Sequence, residues 1–244
     1  MSIHHRVGES RRQYQLVADR IGALIEQQQI GAGSRLPAER ELALQLGVSR
    51  PSLREALIAL EIEGRVEIRG GSGVYVSAKA AGQEGAAATA WLGDSPAELM
   101  QARVALEGAV ITLAAARVTK AGLQRVEEAM LAMRQEHVDG RGQVDADRRF
   151  HLSIAEMAGN AVLTDLVGKL FDGRHGPIAA RMSGRTESSH SWQAAVGEHD
   201  AIYQALEARN PQAAAAAMCT HLLASLGRWV GDSSESAGKT PAEA

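Results

Sequence analysis

The sequence predicts a mainly α protein in which three short helices and a β-hairpin precede an antiparallel all-α bundle. Three observations carry this prediction. Helical apolar spacing recurs three times before residue 64, with only Gly47-Val48 between the second and third stretches. The apolar period then shortens to two, in Val66-x-Ile68 and Val74-x-Val76 about the Gly-rich Arg69-Gly-Gly-Ser-Gly73. Beyond residue 95 there is no further strand signal, only long helical periods separated by capping residues.

Leu16, Ile21, Leu24 and Ile25 give the first helix its apolar face. Pro37 is placed to open the second, with Glu39 and Glu41 in the first turn, where negative charge suits the helix dipole. Leu42 and Leu46 point inward, and Gly47 stops the helix. Ser49 is suited to cap the third helix, Pro51 is tolerated in its first turn, and Leu53, Leu57 and Leu60 form one stripe that Gly64 closes. Helix, helix, tight turn, helix and hairpin make a winged helix-turn-helix, expected over 11–77.

An Ala/Gly-rich stretch with breakers at Gly82 and Gly85 is expected to be a linker over 78–94. Ser95-Pro96-Ala97-Glu98 combines an N-cap, a first-position proline and a capping-box glutamate before a helix to about Val118. Thr119 caps the next, to about His137, and a third runs from about Gln143 to Ala158. Asn160 starts a helix toward Met182, Ser188 or Ser189 another toward Arg209, and Asn210-Pro211 the last, to about Val230. Six helices are thus expected over 95–230. Residues 1 to about 10 and the polar tail 231–244 bury little and are expected to be disordered.

The formal charge of −3, from 26 Lys+Arg against 29 Asp+Glu, argues at first against a nucleic-acid partner. The average hides a difference between regions. Residues 1–78 hold 10 Arg against 9 acidic residues, and the remainder 16 basic against 20 acidic. Aromatic residues at 3% leave no stacking platform for single strands. No apolar run approaches the roughly 20 residues of a membrane span, and the lone Cys219 builds no disulfide framework, so a cytoplasmic protein without a membrane partner is expected.

Arg50 and Arg54 stand one turn apart near the start of the third helix, the part that reaches base edges in a helix-turn-helix. A guanidinium fork suits guanine edges and phosphates alike. Arg35 and Arg40 flank the same edge, and the Gly70-Gly71 tip lets backbone approach a phosphate. The same arginines also read as solvated surface residues pairing with Glu55 or Glu61. In the second region Asp147 and His151 share one helix face at i, i+4, while His199 and His221 lie within later apolar helical patterns. Three imidazoles and one carboxylate suit a divalent metal, zinc first, with nickel or manganese as alternatives. Each histidine taken alone also fits a hydrogen-bonded structural role, and Arg103 an i, i+4 pair with Glu107.

Leu36-Pro-Ala-Glu-Arg-Glu-Leu42, Gly47-Val-Ser-Arg50, Leu53-Arg-Glu-Ala-Leu57 and Glu63-Gly64 before the Gly-rich wing closely resemble the GntR family of bacterial transcription regulators. The resemblance covers most of residues 12–77. It implies that Arg40, Ser49, Arg50 and Arg54 contact double-stranded operator DNA, with Gly71 of the wing in the minor groove. The wing tip departs from some relatives in offering glycines and Ser72 where they carry a larger polar side chain.

Asp147-x-x-Phe150-His151, Gly159-Asn160, Glu198-His199 and Met218-x-x-His221-Leu222 resemble the FCD effector domain of the FadR-type branch. That resemblance implies that Asp147, His151, His199 and His221 hold a divalent metal, and that Arg103 and Asn160 face a small carboxylate effector such as a sugar acid or hydroxy acid. It also implies a homodimer and a repressor rather than an enzyme. Glu98-Leu-Met-Gln-Ala-Arg103, Trp192 and Glu198-His-Asp200 are further similar to hexuronate-responsive regulators. Two other readings use the same residues: a metal-dependent hydrolase, for which Glu198 and Glu156 are the nearby bases by sequence, and a regulator whose metal is purely structural.

Overall fold

A computed structural model describes residues 12–78, 92–139, 143–186 and 189–230. The expected disordered ends, most of the expected linker and Ser188 lie outside these residues. The chain divides into two compact units, one ending at Ser95 and one spanning Pro96–Gly231.

The first unit is α1 (Gln13–Gln27), α2 (Glu39–Leu46), α3 (Arg50–Ile62), β1 (Val66–Arg69) and β2 (Gly73–Val76). The strands pair antiparallel, with Val66 opposite Val76 and Arg69 opposite Gly73. One core joins Val17, Ile21 and Leu24 of α1 to Leu42 and Leu46 of α2, Leu53, Leu57 and Leu60 of α3, and Val66 and Val74 of the hairpin. Leu16, expected in this core, is 47% exposed. At 100° per residue it falls away from the Val17, Ile21 and Leu24 stripe that the unit buries.

Gly47 ends α2 at φ 61°, the left-handed conformation glycine adopts without steric cost. Ser49 then caps α3 as expected, its Oγ accepting the Ser52 amide at 3.3 Å. Pro37, expected to open α2, instead stays in the approach to it, and the helix begins at Glu39 after an extended Ala38. The cause lies in the hairpin. The Leu36 amide donates to the Val74 carbonyl at 2.8 Å and Arg35 bridges to Tyr75, so this segment lies along β2 before the chain can turn into a helix. The unit also keeps the chain just before Pro96: the Tyr14 hydroxyl donates to the Gly93 carbonyl at 3.2 Å, and Ser95 Oγ to Glu55 Oε2 at 2.7 Å.

The second unit holds α4 (Pro96–Ala115), α5 (Lys120–Asp139), α6 (Gln143–Met157), α7 (Ala161–Asp172), a 3-10 turn (Gly173–His175), α8 (Pro177–Thr186), α9 (Ser189–Glu207) and α10 (Pro211–Val230). Thr119 caps α5 by accepting the Gly122 amide at 3.0 Å, and Asn160 caps α7 through the amides of Val162 and Leu163. The bundle has seven described helices where six were expected. The predicted helix from Asn160 to Met182 breaks at Gly173–His175, because the Gly176-Pro177 pair that follows cannot continue it. α10 packs along α4 and α9, α5 packs on α6 and α9, and α4 also meets α6 and α7. Met100, Ile111, Phe150, Phe171, Ile202, Leu206 and Leu222 are fully buried between them.

Candidate functional site

Into this apolar interior the helices project a set of polar side chains. Asp147 and His151 come from one face of α6, His199 from α9 and His221 from α10, and all four are buried. One ligand atom from each lies within 4.8 Å of the other three, so small contractions bring all four onto bonds of about 2.0–2.2 Å to one ion. The 1 to 4 spacing on α6 stacks its two members, and Ala195, Ile202 and Leu206 turn the same side of α9 inward with His199.

The outer edge of each imidazole is held. His151 Nδ1 lies 2.5 Å from Glu107 Oε2, His199 Nδ1 is 2.7 Å from the Ala195 carbonyl, and His221 Nδ1 is 2.8 Å from Glu198 Oε2. A carbonyl and two carboxylates accept hydrogen bonds, so the protons belong on Nδ1 and the Nε2 lone pairs face inward. There His199 Nε2 is 3.1 Å and His151 Nε2 3.4 Å from Asp147 Oδ1. Electron-pair donors that converge without a hydrogen between them repel unless a cation intervenes. His151 Nε2 has no hydrogen-bond partner among the described residues although it is buried. This arrangement, ligand atoms inward and donors tied outward, is the one that metal-binding histidines adopt.

The same contacts set the charges around the site. Burial pushes the Glu107 carboxyl up, but Arg103 and His151 outweigh it and hold it at about 2. Burial pushes the Asp147 carboxyl up, but the adjacent His151 and His199 imidazoles outweigh it and hold Asp147 well below the usual carboxylate range. Burial pushes His221 down to about 3, helped by His199 and opposed by Glu198. Burial also opposes the charge on His151, yet the Glu107 carboxylate raises it.

Arg103 and Glu107, one turn apart on α4, line the same interior. Arg103 Nε donates to Glu107 Oε1 at 2.6 Å, its guanidinium lies 4.7 Å from the Phe171 ring centre, and its Nη2 has no hydrogen-bond partner among the described residues. The i, i+4 pair expected from spacing is therefore present, and it leaves one buried donor unsatisfied. Sequence reasoning missed Arg174. Carried by the 3-10 turn, it stacks on Phe171 at 4.8 Å and donates Nη1 to Asp147 Oδ2 at 3.0 Å, leaving Oδ1 for the site. The Gly176-Pro177 break was the signal that could have placed it. Asn160 is not brought to this group. Its carboxamide is exposed and taken up by the α7 cap.

The two carboxylates considered for a hydrolase both have ion-pair partners. Glu198 receives His221 and both Nη atoms of Arg228, and Glu156 lies on the exposed surface near Arg125. The side chain of Trp192 lies outside the described residues.

In the first unit Arg40, in the first turn of α2, and Ser49 and Arg50, at the start of α3, are exposed, and Arg54 of α3 is half-buried. Arg35 lies against the wing, where a Cβ on Gly73 would meet its Nε at 2.7 Å. Gly71 forms the exposed tip at φ 70°.

Two family profiles cover most of the chain. That of the bacterial regulatory proteins of the gntR family matches residues 13–76, and that of the FCD domain matches residues 98–224. The chain belongs to the GntR family. Within it, this regulator is 34% identical over 218 residues to the Uxu operon transcriptional regulator of Escherichia coli K12, covering 87% of this chain and 85% of that one. It is 34% identical over 226 residues to the Exu regulon transcriptional regulator of the same strain, covering 88% and 84%. A solved GntR structure from Streptococcus agalactiae aligns at 27% identity and a TM-score of 0.46, over 87% of this chain and 98% of that one. As a GntR-family protein with an FCD domain, the chain is a ligand-responsive DNA-binding transcription regulator. None of its described helices is long and apolar enough to cross a membrane.

Proposed function

We propose that this regulator is a homodimeric repressor whose FCD domain binds a divalent metal and, beside it, a small carboxylate that releases the operator. The observation that carries the reading is the pair of buried atoms without a hydrogen-bond partner among the described residues, His151 Nε2 and Arg103 Nη2. Burial of an unsatisfied polar group costs on the order of 1–3 kcal/mol, so such atoms persist where a ligand completes them. The first is a lone pair aimed at three other ligand atoms and suits a cation. The second is a guanidinium N–H and suits a carboxylate oxygen. Asp147, His151, His199 and His221 hold the ion, zinc by preference for three imidazoles and one carboxylate, with nickel or manganese the alternatives. Positions left open on the ion and Arg103 grip the effector together.

The narrower likeness of Glu98–Arg103 and Glu198–Asp200 to hexuronate-responsive regulators, with relatives named for the Uxu operon and the Exu regulon, makes a hexuronate the first effector to try. Residues 11–77 form the reading head, joined by the linker 78–94 to the effector and dimerisation domain 95–230. In each head Arg50 and Arg54 read the major groove, Arg35, Arg40 and Ser49 hold the backbone, and Gly71 brings the wing to the minor groove. Two heads reading half-sites supply the phosphate contacts that one lacks.

Metal analysis of the purified protein, followed by calorimetric titration with glucuronate, galacturonate and short hydroxy acids, tests the reading. One equivalent of bound ion and heat from at least one acid are expected. Protein that carries no ion and takes none up, or that gives heat with no acid, defeats it.

A further inference from the structure

We infer that Glu107 is the positioning residue that serves both halves of the proposed site, orienting the effector arginine with one carboxylate oxygen and a metal ligand with the other. The inference rests on the metal and carboxylate reading above. Glu107 is 3% exposed and stands between the two partners: Oε1 accepts from Arg103 Nε at 2.6 Å, and Oε2 accepts from His151 Nδ1 at 2.5 Å. Both bonds are charge-assisted and short. The first fixes the guanidinium plane, so that Nη2 is presented to the interior. The second keeps the His151 proton on Nδ1, so that the Nε2 lone pair points to the other ligand atoms.

Among the described residues no other does both. Glu198 holds His221 Nδ1 in the same way, but its second partner is Arg228, near the end of α10. The Ala195 carbonyl holds His199 alone. Arg174 supports Asp147 and stacks on Phe171. Among the described residues two carboxylates hold the Nδ1 of a site histidine, Glu107 and Glu198, and of these only Glu107 also reaches Arg103.

A carboxylate can accept at both oxygens, whereas an amide accepts at one. In Glu107→Gln, an Oε1 facing His151 sets the amide N–H2 against Arg103 Nε–H, two donors in contact. With Oε1 facing Arg103, the amide donates to His151 Nδ1 and drives the imidazole proton to Nε2, the atom a metal needs free. Either way one of the two functions is lost, and an ensemble of both orientations weakens each.

The test compares Glu107→Gln with Glu198→Gln in the full chain. Metal-free protein is titrated with zinc, and zinc-saturated protein is then titrated with glucuronate. Both variants are expected to lose about 10-fold to 100-fold in zinc affinity, the usual cost of removing an outer carboxylate partner. Only Glu107→Gln is expected to lose a further tenfold or so in glucuronate affinity once zinc is saturating. Equal glucuronate affinity in the two zinc-saturated variants, or unchanged zinc affinity in Glu107→Gln, overturns the inference. Wild-type protein that binds zinc but no glucuronate, galacturonate or hydroxy acid defeats the underlying reading instead. Should Glu107→Gln not fold, Glu107→Asp keeps the charge but is too short by one methylene to reach both partners. It is expected to weaken zinc and glucuronate together, and full retention of both overturns the inference equally.

Discussion

Replacing Arg103 by methionine separates what the buried guanidinium does for the fold from what it does for the effector. The side chain is 1% exposed and bound to Glu107 at 2.6 Å, and it lies over the Phe171 ring. Removing one member of a buried ion pair costs about 3–5 kcal/mol, because the other charge is left behind. Here Glu107 keeps its bond from His151 at 2.5 Å, and methionine refills most of the volume, so the lower end, about 3 kcal/mol, applies. For a protein of this size that lowers the bundle's melting temperature by roughly 6–12 °C. The effector loses a charge-assisted hydrogen bond worth about 1.5–3 kcal/mol, or roughly 10-fold to 150-fold in affinity. Calorimetric melting and glucuronate titration of the zinc-loaded variant measure both quantities. A variant that binds the acid as wild type does would refute the assignment of Arg103 Nη2 as the carboxylate donor. A melting temperature that does not move would refute the pair's place in the core.

Three further outcomes follow from the same geometry. Arg50→Ala and Arg54→Ala each lower operator affinity by about tenfold, and Arg40→Ala, at the DNA backbone, reduces the salt slope by about one, all read in an anisotropy titration across salt concentrations. Zinc affinity falls on acidification: Glu107 raises His151 above its ordinary 6.5 in the metal-free protein, so a proton must leave before the ion binds. His221, held at about 3, is already neutral there, so zinc competition titrations from about pH 8 to about pH 6 should show affinity falling toward low pH rather than staying constant. His199→Ala removes one ligand: a sensing metal predicts a cooperative melt with no response to glucuronate, whereas a purely structural metal predicts a lowered melting temperature with glucuronate still bound.

Local chemistry made much of the fold legible. Ser49, Thr119 and Asn160 are caps in the sequence and caps in the structure, because capping depends on a side chain and the amides two or three residues on. The break after α7 was overlooked although Gly176-Pro177 announced it, since the apolar period continues from Val167 and Phe171 to Ile178 and Met182 across the turn. Leu16 was misplaced for a related reason: the pattern shows which residues are apolar, and tertiary packing decides which helix face is covered. Pro37 stays outside α2 because of a pairing with β2, a strand about 40 residues later that no local rule registers.

In the site, the i, i+4 spacing placed Asp147 beside His151 and Arg103 beside Glu107, both within single helices. What spacing could not show is the contact across α4 and α6 from Glu107 to His151, 44 residues apart, or the support of Asp147 by Arg174 from a turn that the sequence reading had dissolved into a helix. Asn160 illustrates the opposite error of emphasis, since its place in a family motif is accounted for by an exposed helix cap.

The proposed function requires an ion and a carboxylate to act together in the bundle to control the reading head. Its most direct measurement is the affinity of the full chain for its operator, by fluorescence anisotropy, with zinc and a hexuronate supplied separately and together. The acid is expected to release DNA from zinc-loaded protein and to have little effect on protein stripped of metal, with His151→Ala behaving as stripped. Release of the same size with and without the metal would contradict it.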